Sequence, residues 1–154
     1  MIRHAKLLDV PKIKNLIDSH AEHGKMLHRP LADLYTNVRE FLVAERNGEI
    51  IGCAALRVFT GTLGEIRSIA VADSVQGQGI GRELVRALTK EAAELGLEQV
   101  FALTYVGPFF EKLGFRKVAD KAEFPNKVWS DCINCPKFPD CDEEALILDV
   151  KSAD

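Results

Sequence analysis

The spacing of apolar residues along the chain predicts two long amphipathic helices. The first lies between Asp9 and Gly24 and the second covers about 79–95, because apolar side chains recur at helical spacing in both segments. Shorter helices are predicted over 33–40 and 108–113. Each long helix therefore has one apolar face to bury against another layer of structure.

Strands are predicted where short apolar runs are bounded by turn residues. Asn47-Gly48 stands between two such runs, and this dipeptide is the strongest short-range signal for a hairpin. The predicted strands cover residues 2–7, 41–46, 49–59, 63–72, 99–104, 115–119 and 144–150. Helices that alternate with strands and hairpins predict an α/β (α+β) fold, with a mixed sheet and helices on its faces.

Length and charge narrow the classes of function. At 154 residues, we expect one domain over 1–154. A net charge of −3 with scattered basic residues argues against nucleic-acid binding, which needs a basic surface. No apolar run approaches the ~20 residues of a membrane span, and no signal peptide is evident. We expect a cytoplasmic protein that binds neither nucleic acid nor membranes.

The cysteines and histidines do not form an evident metal site. Cys132, Cys135 and Cys141 are spaced C-x2-C-x5-C. Zinc usually takes four ligands, and the fourth would have to be a nearby aspartate, a distant histidine or Cys53. We therefore expect reduced cysteines and no metal. His20, near the end of the first helix, is expected to be exposed and favoured there by the helix dipole.

A glycine-rich segment, Gln76-Gly-Gln-Gly-Ile-Gly81, follows an apolar strand and opens the second long helix. The first turn of a helix has unpaired N–H groups and a partial positive charge, and glycines let an anion come close. A triphosphate-binding loop would need Gly-Lys-Ser/Thr at its end, and a dinucleotide loop would need a glycine at Arg82 or Leu84. The segment therefore predicts a different phosphorylated ligand.

This Q-x-x-G-x-G pattern between a strand and a long helix resembles the acetyl-coenzyme A site of the GNAT superfamily of N-acetyltransferases. The later segment Phe109-Phe-Glu-Lys-Leu-Gly-Phe115 resembles the other recurring segment of that superfamily. The order of predicted elements also matches over nearly the whole chain. The resemblance implies a mixed, mostly antiparallel central sheet flanked by helices, and acetyl-coenzyme A as cosubstrate.

A closer resemblance is to single-domain amino-acid N-acetyltransferases related to N-acetylglutamate synthase. It rests on Arg29-Pro-Leu-Ala-Asp-Leu, Gly64-Glu-Ile-Arg-Ser-Ile-Ala-Val, Leu103-Thr-Tyr and Lys127-Val-Trp-Ser-Asp-Cys-x-x-Cys-Pro-Lys-Phe. It implies acetyl transfer to the α-amine of a small-molecule amino acid, glutamate or glutamine, in arginine biosynthesis. Two alternatives stay open. One is another acceptor (a protein N-terminus, a lysine or a polyamine), and the other is a non-catalytic acyl-coenzyme A-binding module. A homodimer also stays open.

The resemblance also implies which residues contact the coenzyme. The pyrophosphate would bind the N–H groups of 77–82, and the pantetheine arm would pair with the strand before them, where one N–H also stabilises the oxyanion. The implied residues are Ile69, Ala70, Val71, Gln76, Gly77, Gln78, Gly79, Ile80, Gly81, Arg82 and Phe110. A surface role for Arg82 and a core position for Phe110 are the alternatives.

Glu65 is the candidate base, since the attacking amine must lose a proton before it has a lone pair. Strand alternation predicts that Glu65 and Arg67 share one face, and a purely structural ion pair between them is the alternative. The superfamily's usual tyrosine acid falls at Phe110 in this chain. Tyr105 is therefore the candidate acid, and water or no acid at all are equal alternatives.

Recognition of an amino-acid carboxylate is assigned to arginine, because its planar guanidinium binds carboxylates through two hydrogen bonds. Arg29 is the first candidate, since it lies in the segment that resembles the substrate loop of the synthase relatives, and Arg67 is the second. Leu27 and Lys127 are expected to line the same pocket. A surface or structural role stays open for each of the four.

Overall fold

A computed structural model describes residues 1–22, 28–119, 124 and 144–150. The helices are α1 (Val10–Glu22), α2 (Leu31–Thr36), α3 (Ile80–Leu95) and α4 (Gly107–Glu111). The strands are β1 (Ile2–His4), β2 (Phe41–Arg46), β3 (Glu49–Val58), β4 (Leu63–Val71), β5 (Gln99–Thr104), β6 (Arg116–Lys117) and β7 (Glu144–Asp149).

These strands form one sheet in the order β1-β2-β3-β4-β5-β7-β6. Neighbouring strands are antiparallel except for β4 and β5, which run parallel. The predicted mixed, mostly antiparallel sheet flanked by helices is confirmed.

Some predicted elements are shorter than expected, because local turns end them. The first strand stops at His4, since Leu7–Asp9 form a 3-10 turn in which Lys6 N–H donates to the Asp9 carboxylate over 2.7 Å. The predicted helix over 33–40 divides into α2 and a separate 3-10 turn, Val38–Glu40.

Helices cover both faces of the sheet. On one face, Leu84, Val85 and Leu88 of α3 pack into the largest apolar cluster. On the other face, α1 and α2 bury a second cluster that includes Ile13 and Ile17. Burial of these apolar faces against the sheet stabilises both layers.

A β-bulge at Ser68 changes the direction of side chains along β4. Ser68 has a φ of 56°, and the β3–β4 register moves from Ala55↔Arg67 to Cys53↔Ala70, so β4 carries one extra residue. Ile66 consequently belongs to the cluster under α3, whereas Ala70 belongs to the cluster under α1. The predicted alternation of Glu65 and Arg67 holds because both precede the bulge.

The sheet opens beside the second half of β4. Strands β4 and β5 pair only from Leu63↔Gln99 to Glu65↔Phe101, and β5 then continues beside β7. On the side toward β5, Ile66–Val71 has no paired strand among the described residues. We call this gap the β4–β5 opening; it leaves main-chain groups of β4 available to a ligand.

Candidate active site

The glycine-rich segment forms a turn in which the N–H groups of 77–82 donate to no main-chain carbonyl among the described residues. Gly77 and Gly79 have φ angles of 82° and 83°, which glycine adopts readily and other residues do not. Gly79 is the N-cap of α3, and no side chain caps the helix at this position. The N–H groups at the start of α3 thus lack intrahelical partners, and the helix dipole makes this end attractive to an anion.

Two arginines bring positive charge to this turn. Arg46, at the end of β2, donates through Nη1 to Gln78 Oε1 over 2.9 Å. The Arg82 guanidinium lies over Gly79, where an added Cβ would come within 3.2 Å of Arg82 Nη2. Arg46 was not predicted from the sequence, because only the folded sheet brings the end of β2 beside the turn.

Two phenylalanines of α4 lie behind the turn, one in the core and one beside the glycines. Phe110 is 3% exposed and packs edge-on against Phe109 and Phe115 in the core. Phe109 is half-buried, and a Cβ on Gly81 would lie 3.3 Å from its Cζ. Phe110 therefore occupies the core position that the sequence left as its alternative, and Phe109 is the aromatic side chain beside the turn.

The β4–β5 opening exposes the main chain of Ile69 and Val71. Ala72 N–H donates to Ile51 of β3 over 2.8 Å. Because antiparallel pairing alternates, Ala70 and Ala72 face β3, while Ile69 and Val71 direct their groups into the opening. Ala70 thus differs from its two neighbours, since its main chain is turned toward β3.

The Val71 carbonyl already accepts two side-chain donors. Gln76 Nε2 donates to it over 3.1 Å, and His20 Nε2 lies 2.9 Å from the same oxygen. A carbonyl only accepts, so the His20 ring nitrogen donates. The expectation of an exposed His20 is wrong, because α1 places this partly buried side chain against β4.

Arg29 forms the other side of the site. Its Nε donates to Asp33 over 2.7 Å and its Nη1 donates to Ser68 Oγ over 3.1 Å. The guanidinium carbon lies 5.3 Å from the ring centroid of Phe41, and the residue is 7% exposed. Arg29 Nη2 has no hydrogen-bond partner among the described residues. A buried guanidinium with an open donor is a ready binding site for a carboxylate.

Asp33 fixes the orientation of this guanidinium. Burial raises the pKa of Asp33, but the hydrogen bond and the charge of Arg29, with a donor from Asn37, outweigh it and hold the pKa below its usual value. Arg29 occupies one carboxylate oxygen, and Asn37 Nδ2 donates to the other over 2.7 Å. Asp33 is thus an ionised anchor for Arg29.

Glu65 and Arg67 lie together on the same face of β4, as predicted. Arg67 Nη1 is 3.5 Å from Glu65 Oε1, and the two side chains are 16% and 9% exposed. The ion pair considered as the alternative for Glu65 is present.

Tyr105 directly follows β5 and is half-buried. Counted onward from the parallel pair Glu65↔Phe101, its position is level with the region of Ile69 across the β4–β5 opening. The candidate acid and the candidate coenzyme strand thus border one gap.

Several predicted residues lie outside the described part of the chain, namely Leu27, Lys127, Cys132, Cys135 and Cys141. Within the described residues, no group of three or more His, Cys, Asp or Glu side chains could hold a metal ion. Burial raises the pKa of the Cys53 thiol to about 12. None of the described helices is both long enough and apolar enough to span a membrane.

Comparisons with known proteins find related sequences over most of the chain. The model of the acetyltransferase (GNAT) family matches residues 11–115. An uncharacterized N-acetyltransferase of Chlorobaculum tepidum is 39% identical over 146 residues, which cover 95% of this chain and 94% of that protein. An amino-acid acetyltransferase of Mycobacterium tuberculosis is 43% identical over 122 residues, covering 77% of this chain and 69% of that protein.

A solved structure is similar to almost the whole chain. The N-acetylglutamate synthase of Neisseria gonorrhoeae, complexed with coenzyme A and N-acetyl-glutamate, has a TM-score of 0.90 and 30% identity. The match covers 99% of this chain and 35% of the synthase chain. The similarity therefore concerns one part of that longer protein.

Proposed function

Because this chain belongs to the acetyltransferase (GNAT) family, we propose that it acetylates the α-amine of an amino acid, glutamate or glutamine, in arginine biosynthesis. Acetyl-coenzyme A is the cosubstrate of this N-acetyltransferase. The observation that carries the choice of acceptor is Arg29, a buried guanidinium whose Nη2 donor has no partner among the described residues. The names of the Mycobacterium tuberculosis acetyltransferase and the Neisseria gonorrhoeae synthase support the same acceptor class.

The coenzyme binds along β4 and the turn that follows it. Its pyrophosphate accepts from the N–H groups of 77–82, with Arg46 and Arg82 beside it. Its pantetheine arm enters the β4–β5 opening and pairs with the main chain of Ile69 and Val71. This placement is supported by the open donors of the turn and by the open edge of β4.

The acceptor binds on the α1–α2 side of β4 through its carboxylate. An unsatisfied buried donor costs about 1–3 kcal/mol, and a carboxylate on Arg29 Nη2 removes that cost. Arg67 adds a second positive charge nearby, beside Glu65. Two arginines suit an anionic amino acid and disfavour a polyamine, whose extra ammonium groups they repel.

The reaction then requires a neutral amine. Glu65 accepts a proton from the substrate ammonium, directly or through a water molecule. The amine nitrogen attacks the thioester carbonyl carbon, and a β4 N–H in the opening stabilises the oxyanion. The attack forms the carbon–nitrogen bond and leaves a positively charged nitrogen. This nitrogen loses a second proton to water as the intermediate collapses to the amide and the carbon–sulfur bond breaks. The coenzyme leaves as a thiolate, which takes a proton from Tyr105 or from water.

The test is acetyl transfer by the purified chain to a panel of free amino acids. Released coenzyme A is followed with a thiol reagent, after subtraction of the signal from the protein's own cysteines. We expect release with glutamate or glutamine and little with a polyamine. The proposal would be overturned if the protein acetylated amines that carry no carboxylate and acetylated no α-amino acid.

A further inference from the structure

Ser68 has a backbone conformation that is uncommon for serine. Its φ of 56° is one of two positive values among the non-glycine residues in the described part of the chain, and the other belongs to Asn47 of the hairpin turn. Asparagine adopts this conformation more readily than most residue types, whereas serine has no such preference. Because a glycine would form the bulge with less strain, a serine at this position indicates that its side chain is needed.

The Ser68 hydroxyl lies against Arg29 in the region proposed for the acceptor. Its oxygen accepts a hydrogen bond from Arg29 Nη1 over 3.1 Å, and the Ser68 carbonyl accepts one from the Cys53 thiol of β3 over 3.5 Å. Burial raises the pKa of that thiol to about 12, so the thiol keeps its proton at neutral pH. The bulge is therefore held through both its side chain and its main chain, which fixes the position of the hydroxyl oxygen.

The hydroxyl proton of Ser68 has no acceptor among the described residues. Because a guanidinium only donates, the bond from Arg29 occupies the Ser68 oxygen and leaves its proton available to a ligand. Arg29 Nη2 also has no partner among the described residues. These two open donors belong to side chains that are joined by a hydrogen bond, so one ligand group with two acceptor oxygens can reach both. A carboxylate is such a group.

We propose that Ser68 is an acceptor-binding residue: its hydroxyl donates to one oxygen of the acceptor carboxylate while Arg29 Nη2 donates to the other. This inference rests on the proposed function and adds a second donor to the carboxylate site. The contacts of Arg29 with Asp33 and with the ring of Phe41 hold the guanidinium in place, so the two donors keep their spacing. Recognition of the carboxylate thus depends on a serine hydroxyl as well as on an arginine.

The test measures kcat/KM for glutamate and for glutaminamide, which carries no carboxylate, in Ser68→Ala and Ser68→Gly. Both variants remove the hydroxyl, but only glycine also relieves the positive φ. Ser74→Ala is the matched control, because Ser74 is an exposed serine in the 3-10 turn that follows β4. Titration calorimetry with coenzyme A reports on the coenzyme region, and the melting temperature reports on folding.

We expect both Ser68 variants to lower kcat/KM for glutamate about tenfold, mainly through a higher KM, because one hydrogen bond to a charged group is lost. The value for glutaminamide and the dissociation constant of coenzyme A should each change by less than about twofold. Ser74→Ala should behave like the wild type.

Three results would overturn the inference. The first is an unchanged kcat/KM for glutamate in both Ser68 variants, and the second is an equal loss with glutamate and glutaminamide. The third is a loss in Ser68→Ala that is absent in Ser68→Gly, which would assign the effect to the backbone of the bulge.

Arg29→Lys separates this inference from the proposed function. If Arg29→Lys loses the preference for glutamate over glutaminamide and the Ser68 variants keep it, the role of Ser68 fails and the proposed acceptor stands. If the wild type itself shows no such preference, the proposed acceptor and the inference fail together.

Discussion

The two proposed binding regions at β4 present different kinds of groups. The region proposed for the coenzyme presents main-chain N–H groups of one continuous segment, in which glycines adopt positive φ. The region proposed for the acceptor presents charged side chains from separate segments, with Arg29 joined to Ser68 and Glu65 beside Arg67. We therefore expect coenzyme binding to depend on the backbone conformation of the turn. We expect acceptor binding to depend on the chemical identity of the charged side chains.

This difference predicts that substitutions on the two sides have separable effects. A change that only strains the turn alters coenzyme binding, because the donors move while the acceptor charges stay in place. A change of one charged group alters acceptor binding or proton transfer, because β4 keeps its main-chain donors.

The largest effect is expected for Glu65→Gln. The amide cannot take a proton from the substrate ammonium, so kcat should fall about a hundredfold or more. Coenzyme A affinity, measured by titration calorimetry, should stay at the wild-type value. Unchanged turnover would assign Glu65 to the structural ion pair with Arg67.

The next largest effect is expected for Arg29→Lys. Lysine cannot maintain the contacts to Asp33 and Ser68 while presenting a further donor, so glutamate KM should rise roughly ten- to a hundredfold. Arg3→Lys is the control, because Arg3 also forms an ion pair with an aspartate, Asp9, but lies on edge strand β1. A rise in KM for both variants would indicate a general loss of structure.

A smaller effect is expected for Gly77→Ala, and Gly48→Ala is its matched control. The two glycines have φ angles of 82° and 80°, and an added Cβ at either would meet nothing within 4 Å. Both variants should therefore lose about 1 kcal/mol of unfolding free energy in urea titrations. Only Gly77→Ala should weaken coenzyme A binding, by about fivefold. Equal coenzyme affinity in the two variants would contradict a main-chain anion site.

The smallest effect is expected for the Asp33 ion pair and depends on pH. Because its folded pKa lies below the usual value of 3.8, the contribution of Asp33 to stability is present above that pH and is lost as pH falls through the folded pKa. Asp33→Asn should lower the unfolding free energy at pH 7 by less than about 1 kcal/mol, since solvent screens a carboxylate that is a third exposed. The difference should shrink as pH falls below 3.8 and through the lower folded pKa; a difference that stays constant over this range would assign it to packing.

The glycine turn and the helix that follows it were largely predictable from the sequence, since their signal is contiguous. The glycine pattern and the helix after it fix the turn without reference to distant residues. The shared face of Glu65 and Arg67 was also predictable, because two-residue alternation holds up to the bulge.

What could not be predicted depends on register and on distant contacts. The bulge at Ser68 has no signature in the sequence, and it decides that Ala70 faces β3 while Val71 faces the opening. The position of His20 depends on how α1 packs on β4, whereas local rules expect an exposed histidine there. Phe110 entered the core in the same way, through the packing of α4.

The central claim is that Arg29 binds the carboxylate of the acceptor. The most direct measurement is the ratio of kcat/KM for glutamate to that for glutaminamide, which keeps the α-amine and has no carboxylate. The wild type should prefer glutamate by at least about tenfold, and Arg29→Lys should lose most of that preference, because the missing interaction exists for only one of the two substrates. An equal ratio in the wild type and in Arg29→Lys would contradict the claim.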